Sequence, residues 1–164
     1  MDFYKSLGYL ILGSRLRRLS DYFLQEVNQV YEAEGIPFEA SWFPLFYMLD
    51  QKGVASIREI ANQTQVSHSA VSQLVSNLKK RGLVETNTGE EDARHQLVRL
   101  TQAGHQLLTR VQPIWSSLTE TLENLAESHP ATAQLLCGIH TLEEAFQQKG
   151  LSERVHNDLH KFSK

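Results

Sequence analysis

The chain is 164 residues long, 41% of them hydrophobic, and its formal net charge is −3. A chain of this size can enclose one hydrophobic core, so we expect a single domain. The single cysteine excludes an internal disulfide framework and fits a reducing compartment, which predicts a cytoplasmic protein. No run of 18 apolar residues occurs, and this excludes a membrane-spanning helix.

An apolar stripe at helical spacing predicts a long first helix. The helix should end near Gly35, and its stripe comprises Leu7, Leu10, Ile11, Leu19, Phe23, Val27 and Val30. Arginines follow the first apolar patch and no small-residue cleavage site is present, so the patch is a helix face and not a signal peptide. About 28 residues give roughly 42 Å of helix, more than a small lobe can cover. We therefore expect a second copy of the chain to bury this face.

A second helix is predicted from Trp42 to Asp50, where the sequence is apolar on nearly every side and therefore central. A helix-turn-helix pattern comes next. Ser56-Ile57-Arg58-Glu59 fits a capping box and begins a short helix that should end at about Gln63. Thr64–Val66 is predicted to form the turn between the two helices.

Ser67 is placed to cap the following helix, which has two different faces. Val71, Leu74, Val75 and Leu78 recur at the spacing of a buried stripe. The opposite face is small, polar and free of acidic residues, and carries Ser69, Ser72, Gln73, Ser76 and Lys80. Such a face suits a major groove, because it offers hydrogen-bonding groups and does not repel phosphates. The alternative is an ordinary solvated helix whose end, Lys79-Lys80-Arg81 before Gly82, is basic.

Two β-prone runs, Leu83–Asn87 and Gln96–Leu100, predict a hairpin with a charged loop. Within the loop, Asp92 and Arg94 are two residues apart and point to the same side in extended backbone. An Asp can hold a guanidinium in one direction, which suits a narrow minor groove. Alternatively, these are solvated loop charges. Residues 56–104 hold six Lys or Arg against five Asp or Glu, a net +1, and the rest of the chain is −4.

The C-terminal part predicts three further helices. Thr101 should cap a long helix that runs to about Ser128 and kinks at Pro113. Residues 131–149 should form the next helix, which ends at Gly150 and directs inward Leu135, Leu136, Ile139, Leu142 and Phe146. Ser152 is placed to cap a last helix that ends near Phe162.

A cysteine and a pair of histidines in this region are candidates for a redox site and a metal site. Cys137 lies beside Leu136 on an apolar side, so we expect a buried structural thiol in preference to a redox sensor. His156 and His160 have a spacing that can chelate a metal, but they lack a nearby Cys or carboxylate pair and are expected to be surface residues. We predict no metal and no cofactor.

The helix-turn-helix and hairpin together resemble the MarR (multiple antibiotic resistance regulator) family of winged-helix transcription factors. The resemblance is carried by VSHSAVSQLVSNLKKRGLVE, by the wing sequence EEDARHQLVRLT, and by Leu100-Thr101-x-x-Gly104. It implies a mainly α fold with a small β-hairpin wing, a winged helix-turn-helix whose N- and C-terminal helices form a dimer. On this reading residues 1–164 are one domain, with dimerisation helices in 1–35 and 105–164 and a DNA-binding lobe in 38–104.

The resemblance also implies function. We expect a bacterial, homodimeric repressor that binds a near-palindromic operator in double-stranded DNA and needs no membrane. The contact residues are predicted to be Ser67, His68, Ser69, Ser72, Gln73, Ser76, Lys80, Asp92 and Arg94. A small aromatic or anionic effector is expected between the dimer arms and the lobe, in a pocket lined by an aromatic group that comprises Phe38, Trp42, Phe43, Phe46, Tyr47 and Trp115. For each of these aromatics the alternative is a place in the hydrophobic core.

Two other functions remain open from the sequence. The acidic balance and the wing acids Glu90 and Glu91 would fit a winged-helix protein-interaction module that has lost DNA binding. A thiol-based redox regulator would depend on Cys137. The sequence contains no Gly-rich phosphate loop and no catalytic arrangement of Ser, His and Asp or of Cys and His, so we do not expect an enzyme.

Overall fold

The fold is that of a computed structural model, which describes residues 6–88 and 96–161. The chain divides into two compact units, 1–114 and 115–164. The first contains a 3-10 turn at Gly8–Ile11, α1 (Leu12–Ala33), a 3-10 turn at Ala40–Trp42, α2 (Phe43–Lys52), β1 (Val54–Ser56), α3 (Ile57–Thr64), α4 (His68–Lys80), β2 (Val84–Thr88), β3 (Gln96–Leu100) and the beginning of α5 (Gln102–Glu127). The second contains the remainder of α5, α6 (Pro130–Ala133), α7 (Leu135–Gln148) and α8 (Leu151–Lys161). This confirms the predicted fold class, mainly α with a small antiparallel sheet.

Helix α1 is shorter than the apolar stripe predicted. It has 22 residues, because the first part of the stripe lies in and just before the 3-10 turn. That turn begins at Gly8, which adopts the left-handed region (φ +53°). Its C-terminus is where the sequence placed it. Gly35 adopts φ +61°, and the N–H of Ile36 donates to the carbonyl of Tyr31 at 2.8 Å, which closes the last turn.

The first unit has a well-packed core. Val27 and Tyr31 of α1 are buried there, together with Leu45, Phe46 and Leu49 of α2. Other buried apolar side chains come from the 36–42 connection, α3, α4, the sheet and the first turns of α5, and include Ile60, Leu78, Val84, Val98 and Val111. Because every α-helix and strand of this unit contributes, the positions of α3 and α4 are set by one continuous core.

The sheet has three strands in the order β1–β3–β2, all antiparallel. The predicted hairpin is confirmed, and β2 begins one residue later than expected. Strand β1 was missed, because a three-residue segment is too short to show an alternating pattern. It pairs Ala55 with Val98 and places Ser56, its last residue, at the start of α3.

Thr101 and Gly104 join the hairpin to α5. The Thr101 hydroxyl accepts from the N–H of Gly104 (3.1 Å), as the predicted cap requires, and donates to the carbonyl of Gly82 (2.6 Å). A Cβ on Gly104 would lie 2.1 Å from the carbonyl oxygen of Leu83. Position 104 therefore requires glycine, because backbone from the end of α4 passes directly against it.

The second unit contains no buried side chain among its described residues. The prediction that the apolar side of α7 points inward is wrong for the isolated chain: Leu136 is 80% exposed, and Leu135, Ile139, Leu142 and Phe146 are also exposed. The cause is that none of the described residues forms a layer over this side of α7.

The helix predicted over 131–149 is interrupted after Ala133. Its first turn is α6, which begins with Pro130 and is capped by His129, whose Nδ1 accepts from the N–H of Ala131 (3.1 Å). The predicted cap at Ser152 is also wrong. Helix α8 begins at Leu151, so Ser152 lies inside the helix, and the Gly150 carbonyl accepts the N–H of Arg154 (3.1 Å).

We predict that Gly104→Ala lowers the free energy of unfolding by about 3 kcal/mol, because the new methyl group meets a backbone carbonyl that cannot move without disturbing the hairpin. Urea denaturation of the two proteins measures the difference. Gln106→Ala, at an exposed position two residues further along α5, is the control and should change stability by less than about 0.5 kcal/mol. A Gly104→Ala protein as stable as the parent would contradict this account of the junction.

Candidate nucleic-acid interface

Helix α3 is anchored at its N-terminus by the predicted capping box. The Ser56 hydroxyl accepts from the N–H of Glu59 at 3.1 Å. The Glu59 carboxylate accepts from the ammonium of Lys52, at the end of α2. That hydrogen bond, followed by the charge of Lys52 and the N–H of Ser56, lowers the pKa of Glu59 below its usual range despite an opposing effect of burial. The first helix of the motif is thus tied to both α2 and β1.

The turn between α3 and α4 is tight. Gln65 adopts the left-handed conformation (φ 54°), and the N–H of Val66 donates to the carbonyl of Ala61 (3.2 Å). Ser67 then caps α4, since its hydroxyl accepts from the N–H of Ala70 (3.3 Å). This confirms the helix-turn-helix predicted from the sequence.

The two faces of α4 are as different as the sequence predicted. Val71, Val75 and Leu78 are buried and Leu74 is half-buried, so this side fixes the helix on the core. The other face turns outward, with Ser72 half-buried and the rest exposed: Ser67, His68, Ser69, Gln73, Ser76 and Lys80. The structure therefore brings seven of the nine predicted contact residues together on one side of one helix.

At the N-terminal end of this face the polar groups interact with one another. The hydroxyls of Ser67 and Ser69 are 3.1 Å apart, and the Ser72 hydroxyl is 3.4 Å from Nδ1 of His68. Because the serine side chains are short, this helix surface protrudes little and is rich in hydrogen-bonding groups. Such a surface can approach base edges closely.

The three cations at the C-terminal end of α4 have different surroundings, which the sequence did not reveal. The Lys79 ammonium donates to the Thr86 hydroxyl on β2 (2.8 Å). The Arg81 guanidinium pairs with Glu39 (3.4 Å) and lies 5.0 Å from the ring centroid of Trp42. Lys80 is exposed on the outward face with the polar residues. No local pattern distinguishes these three positions, because their partners lie far away in the chain.

The hairpin contributes a second charged surface. Glu85 and Arg99 are directly opposed on β2 and β3, and the Arg99 Nε donates to the Glu85 carboxylate at 2.7 Å. Asp92 and Arg94, the predicted wing contacts, lie outside the described residues, as do Glu90 and Glu91.

The predicted aromatic group does not form one surface. Phe38, Trp42 and Phe46 are buried in the first unit. The rings of Trp42 and Phe46 each pack edge-to-face on Phe38, at centroid distances of 5.5 and 5.0 Å. Tyr47 is 50% exposed. Trp115 belongs to the second unit and is half-buried.

Tyr47 lines a surface cavity of about 340 Å³ between α2 and α3. Phe43, which the sequence also suggested, lines it too, and the lining residues that the sequence analysis missed are Pro44, Met48, Gln51, Lys52, Gln63 and Thr64. The rings of Phe43 and Tyr47 stack at 5.5 Å, as their i, i+4 spacing allows. The same spacing relates the buried pair Trp42 and Phe46, one residue earlier in the sequence. The sequence therefore contained a signal that the two pairs lie on different sides of the helix.

Cys137 is exposed, so the expectation of a buried thiol is wrong. The reason is again that the apolar side of α7 is not covered in the isolated chain. His156 and His160 are exposed, with ring centroids 4.3 Å apart. Within the described ranges, no three His, Cys, Asp or Glu side chains come together in a way that could hold a metal ion. None of the helices described is long and apolar enough to cross a bilayer.

Comparison with known proteins agrees with this geometry. Residues 35–95, which include the helix-turn-helix and the hairpin up to its loop, match the sequence model of the MarR family. Over these residues the chain is similar to the MarR family.

Among curated MarR-type relatives, the transcriptional repressor IacR of Pseudomonas putida is 27% identical over 103 residues, which are 63% of this chain and 60% of the relative. The chain thus spans less than two thirds of the length of IacR. The transcriptional repressor MprA of Escherichia coli is 26% identical over 145 residues, or 82% of this chain and 80% of MprA.

Solved structures show the same winged-helix fold. The S. aureus MepR–DNA complex superposes with a TM-score of 0.71 at 20% identity and covers 82% of this chain and 97% of its own. BpsR of Bordetella bronchiseptica, whose DNA binding is regulated by 6-hydroxynicotinic acid, gives a TM-score of 0.65 at 22% identity and covers 84% of this chain and 94% of its own.

Proposed function

We propose that this MarR-family protein is a sequence-specific transcriptional repressor that binds double-stranded DNA as a homodimer in the cytoplasm, and that it is not an enzyme. The observation that carries the proposal is the outward face of α4, which is small, polar, exposed and free of acidic side chains. That face lies on the second helix of a helix-turn-helix, the element that enters the major groove in this class of protein. The relatives IacR and MprA are both named transcriptional repressors.

The geometry assigns different tasks to different residues. Ser69, Ser72 and Gln73 lie on the first turns of α4 and are proposed to meet base edges, where hydroxyl and amide groups discriminate between bases. Ser67, His68, Ser76 and Lys80 surround them and are proposed to meet phosphates or the margins of the groove, which positions the helix. In the wing, Arg94 is proposed to enter the minor groove with Asp92 holding its guanidinium.

The homodimer is supported by apolar surface that the single chain leaves exposed. Leu10 of the N-terminal turn is 84% exposed, and α1 and the C-terminal helices add Leu19, Phe23, Leu125, Leu136 and Leu159. Exposed apolar surface of this extent marks an interaction site. With both chain ends in the interface, the dimer presents two copies of α4 to DNA.

A protein-interaction module remains the second candidate. It is favoured by the acidic net charge of −3 and by Glu85, which neutralises Arg99 beside the predicted DNA surface. The two functions differ in a measurable property, because contacts with phosphates make DNA binding strongly dependent on salt.

We predict that the protein is a dimer at micromolar concentration and that it selects a near-palindromic duplex from a random-sequence library. The half-sites should be about one helical turn apart, ~34–36 Å, because two-fold symmetry relates the recognition helices. Light scattering gives the mass, and sequencing of the bound duplexes gives the site. A monomeric mass, or a bound pool without a shared sequence, would contradict the proposal.

We predict that Gln73→Ala weakens binding to the selected duplex by about 1–3 kcal/mol and relaxes the preference at one position of each half-site. Arg94→Ala should weaken binding more evenly across sequences, with a bias against A·T-rich flanks, and Asp92→Ala should act by releasing Arg94. Fluorescence anisotropy with a set of single-base variants of the duplex separates the two patterns. Arg94→Ala binding with parental affinity would show that the wing assignment is wrong.

We also propose that a small, largely apolar, aromatic or anionic molecule modulates DNA binding. BpsR sets a precedent, since its DNA binding is regulated by 6-hydroxynicotinic acid. In this chain Tyr47 offers an exposed ring beside a cavity of a size that suits a small aromatic acid. Phe38, Trp42 and Phe46 are buried in the core of the first unit and do not line this cavity.

We predict that a panel of aromatic carboxylic acids, beginning with 6-hydroxynicotinic acid, contains a compound that changes DNA affinity roughly 5–150-fold, the usual range of coupling between two sites. Tyr47→Ala should abolish the response, whereas Tyr47→Phe, which keeps the ring, should preserve it. If no compound acts, and peroxide instead releases DNA from the parent protein but not from Cys137→Ser, the regulator is a thiol sensor.

A further inference from the structure

Arg81 occupies an unusual place for a cation at the end of a proposed recognition helix. It follows the last residue of α4, where a basic side chain would be available to a phosphate. Instead its guanidinium lies 5.0 Å from the ring centroid of Trp42 and 3.4 Å from the carboxylate of Glu39. Both partners belong to one short stretch, which we term the 38–42 segment.

The 38–42 segment is itself attached to α1. The N–H of Ala40 donates to the side-chain oxygen of Asn28 at 2.7 Å. The ring of Phe38 packs edge-to-face on Tyr31, with centroids 5.0 Å apart, and Tyr31 is almost fully buried. The segment therefore contacts α1 on one side and, through Arg81, the end of α4 on the other.

Among the described residues, none gives the opposite end of α4 a comparable attachment. Its exposed N-terminal residues interact among themselves, and the cap at Ser67 is local. Val71, Val75 and Leu78 hold the helix on the core, but apolar contacts are not directional. The contacts at the C-terminal end are directional, and they are made by Lys79 with Thr86 and by Arg81 with the 38–42 segment.

We propose that Arg81 is a positioning residue for sequence-specific DNA binding: its contacts with Glu39 and Trp42 set the orientation of α4 relative to α1. On this view Arg81 does not bind a phosphate, and Glu39 assists DNA binding although it is acidic. The inference rests on the proposed DNA-binding function. It goes beyond that function by assigning a role to two residues that the recognition face does not contain.

The strength of the contacts limits the expected effect. Both side chains of the ion pair are about half exposed, at 55% for Arg81 and 52% for Glu39, and exposed pairs and exposed cation–π contacts are individually weak. Loss of either partner should therefore leave the protein folded. Reading of base edges is sensitive to small changes in helix orientation, so we expect a three- to tenfold loss of discrimination.

The experiment compares the full-length dimer with Arg81→Gln, Glu39→Gln and the double variant. Each is titrated with the duplex selected by the parent protein and with a scrambled duplex of the same composition, over a series of salt concentrations. The matched control is Glu153→Gln, which removes the same charge from an exposed ion pair outside the lobe, that with Lys149. Thermal unfolding of every variant confirms that it is folded at the assay temperature.

We expect Arg81→Gln and Glu39→Gln each to reduce the ratio of specific to non-specific affinity three- to tenfold. The double variant should lose no more than either single variant, because the two residues share one contact. The salt dependence of Arg81→Gln should equal that of the parent, and Glu153→Gln should change the ratio less than twofold.

Two results would overturn the proposal. If Glu39→Gln tightens binding and Arg81→Gln flattens the salt dependence by about one phosphate contact, Arg81 binds DNA directly and Glu39 competes with it. If neither variant alters the ratio, the contact is structural only. Failure of the parent protein to select any duplex would instead refute the proposed function, so the two failures are distinguishable.

Discussion

The recognition helix, the hairpin and helix α5 meet at one junction, where Gly104 lies against the carbonyl of Leu83. The backbone can pass this closely only because position 104 has no Cβ. Thr101 completes the junction, since its N–H donates to Leu83 (3.1 Å) and its hydroxyl donates to Gly82. The end of α4, the base of the wing and the start of α5 therefore share one set of backbone contacts. Displacement of any one of them would displace the other two.

The distribution of charge around α4 shows how a net acidic chain can present a surface to DNA. Several cations of the lobe already have partners: Lys52 with Glu59, Lys79 with Thr86, Arg81 with Glu39 and Arg99 with Glu85. Lys80 is exposed on the outward face of α4. A surface in which paired cations hold the framework has modest non-specific attraction to phosphates. On the proposed function, affinity for DNA would then depend more on the hydrogen-bonding groups of α4 and on the wing.

The apolar surfaces outside the lobe have a different purpose. In α1 only Val27 and Tyr31 are buried, and the second unit buries none of its described side chains. Isolated helices with such exposed apolar faces are marginally stable in water, so their stability must come from packing against another surface. In the proposed homodimer, a second copy of the chain would provide that surface with two-fold symmetry. The folding of the arms and the spacing of the recognition helices would then be consequences of one association.

The sequence by itself determined the local features of this protein, because they depend on residues close together in the chain. The capping box at Ser56, the cap at Ser67, the stop at Gly82 and the two faces of α4 follow from spacings of three or four residues. The hairpin follows from two β-prone runs, and the motif from Leu100 to Gly104 pointed to the family.

Only the tertiary structure decided features that depend on residues far apart. Strand β1 is a strand because β3 pairs with it, and Lys79 and Arg81 differ because Thr86, Glu39 and Trp42 lie next to them. The same holds for burial. Phe46 and Tyr47 are adjacent and equally aromatic in the sequence, yet one is in the core and the other lines a cavity. Apolar periodicity identified the stripe on α7 but not what covers it, since a pattern of side chains is the same whether its partner is the same chain or another.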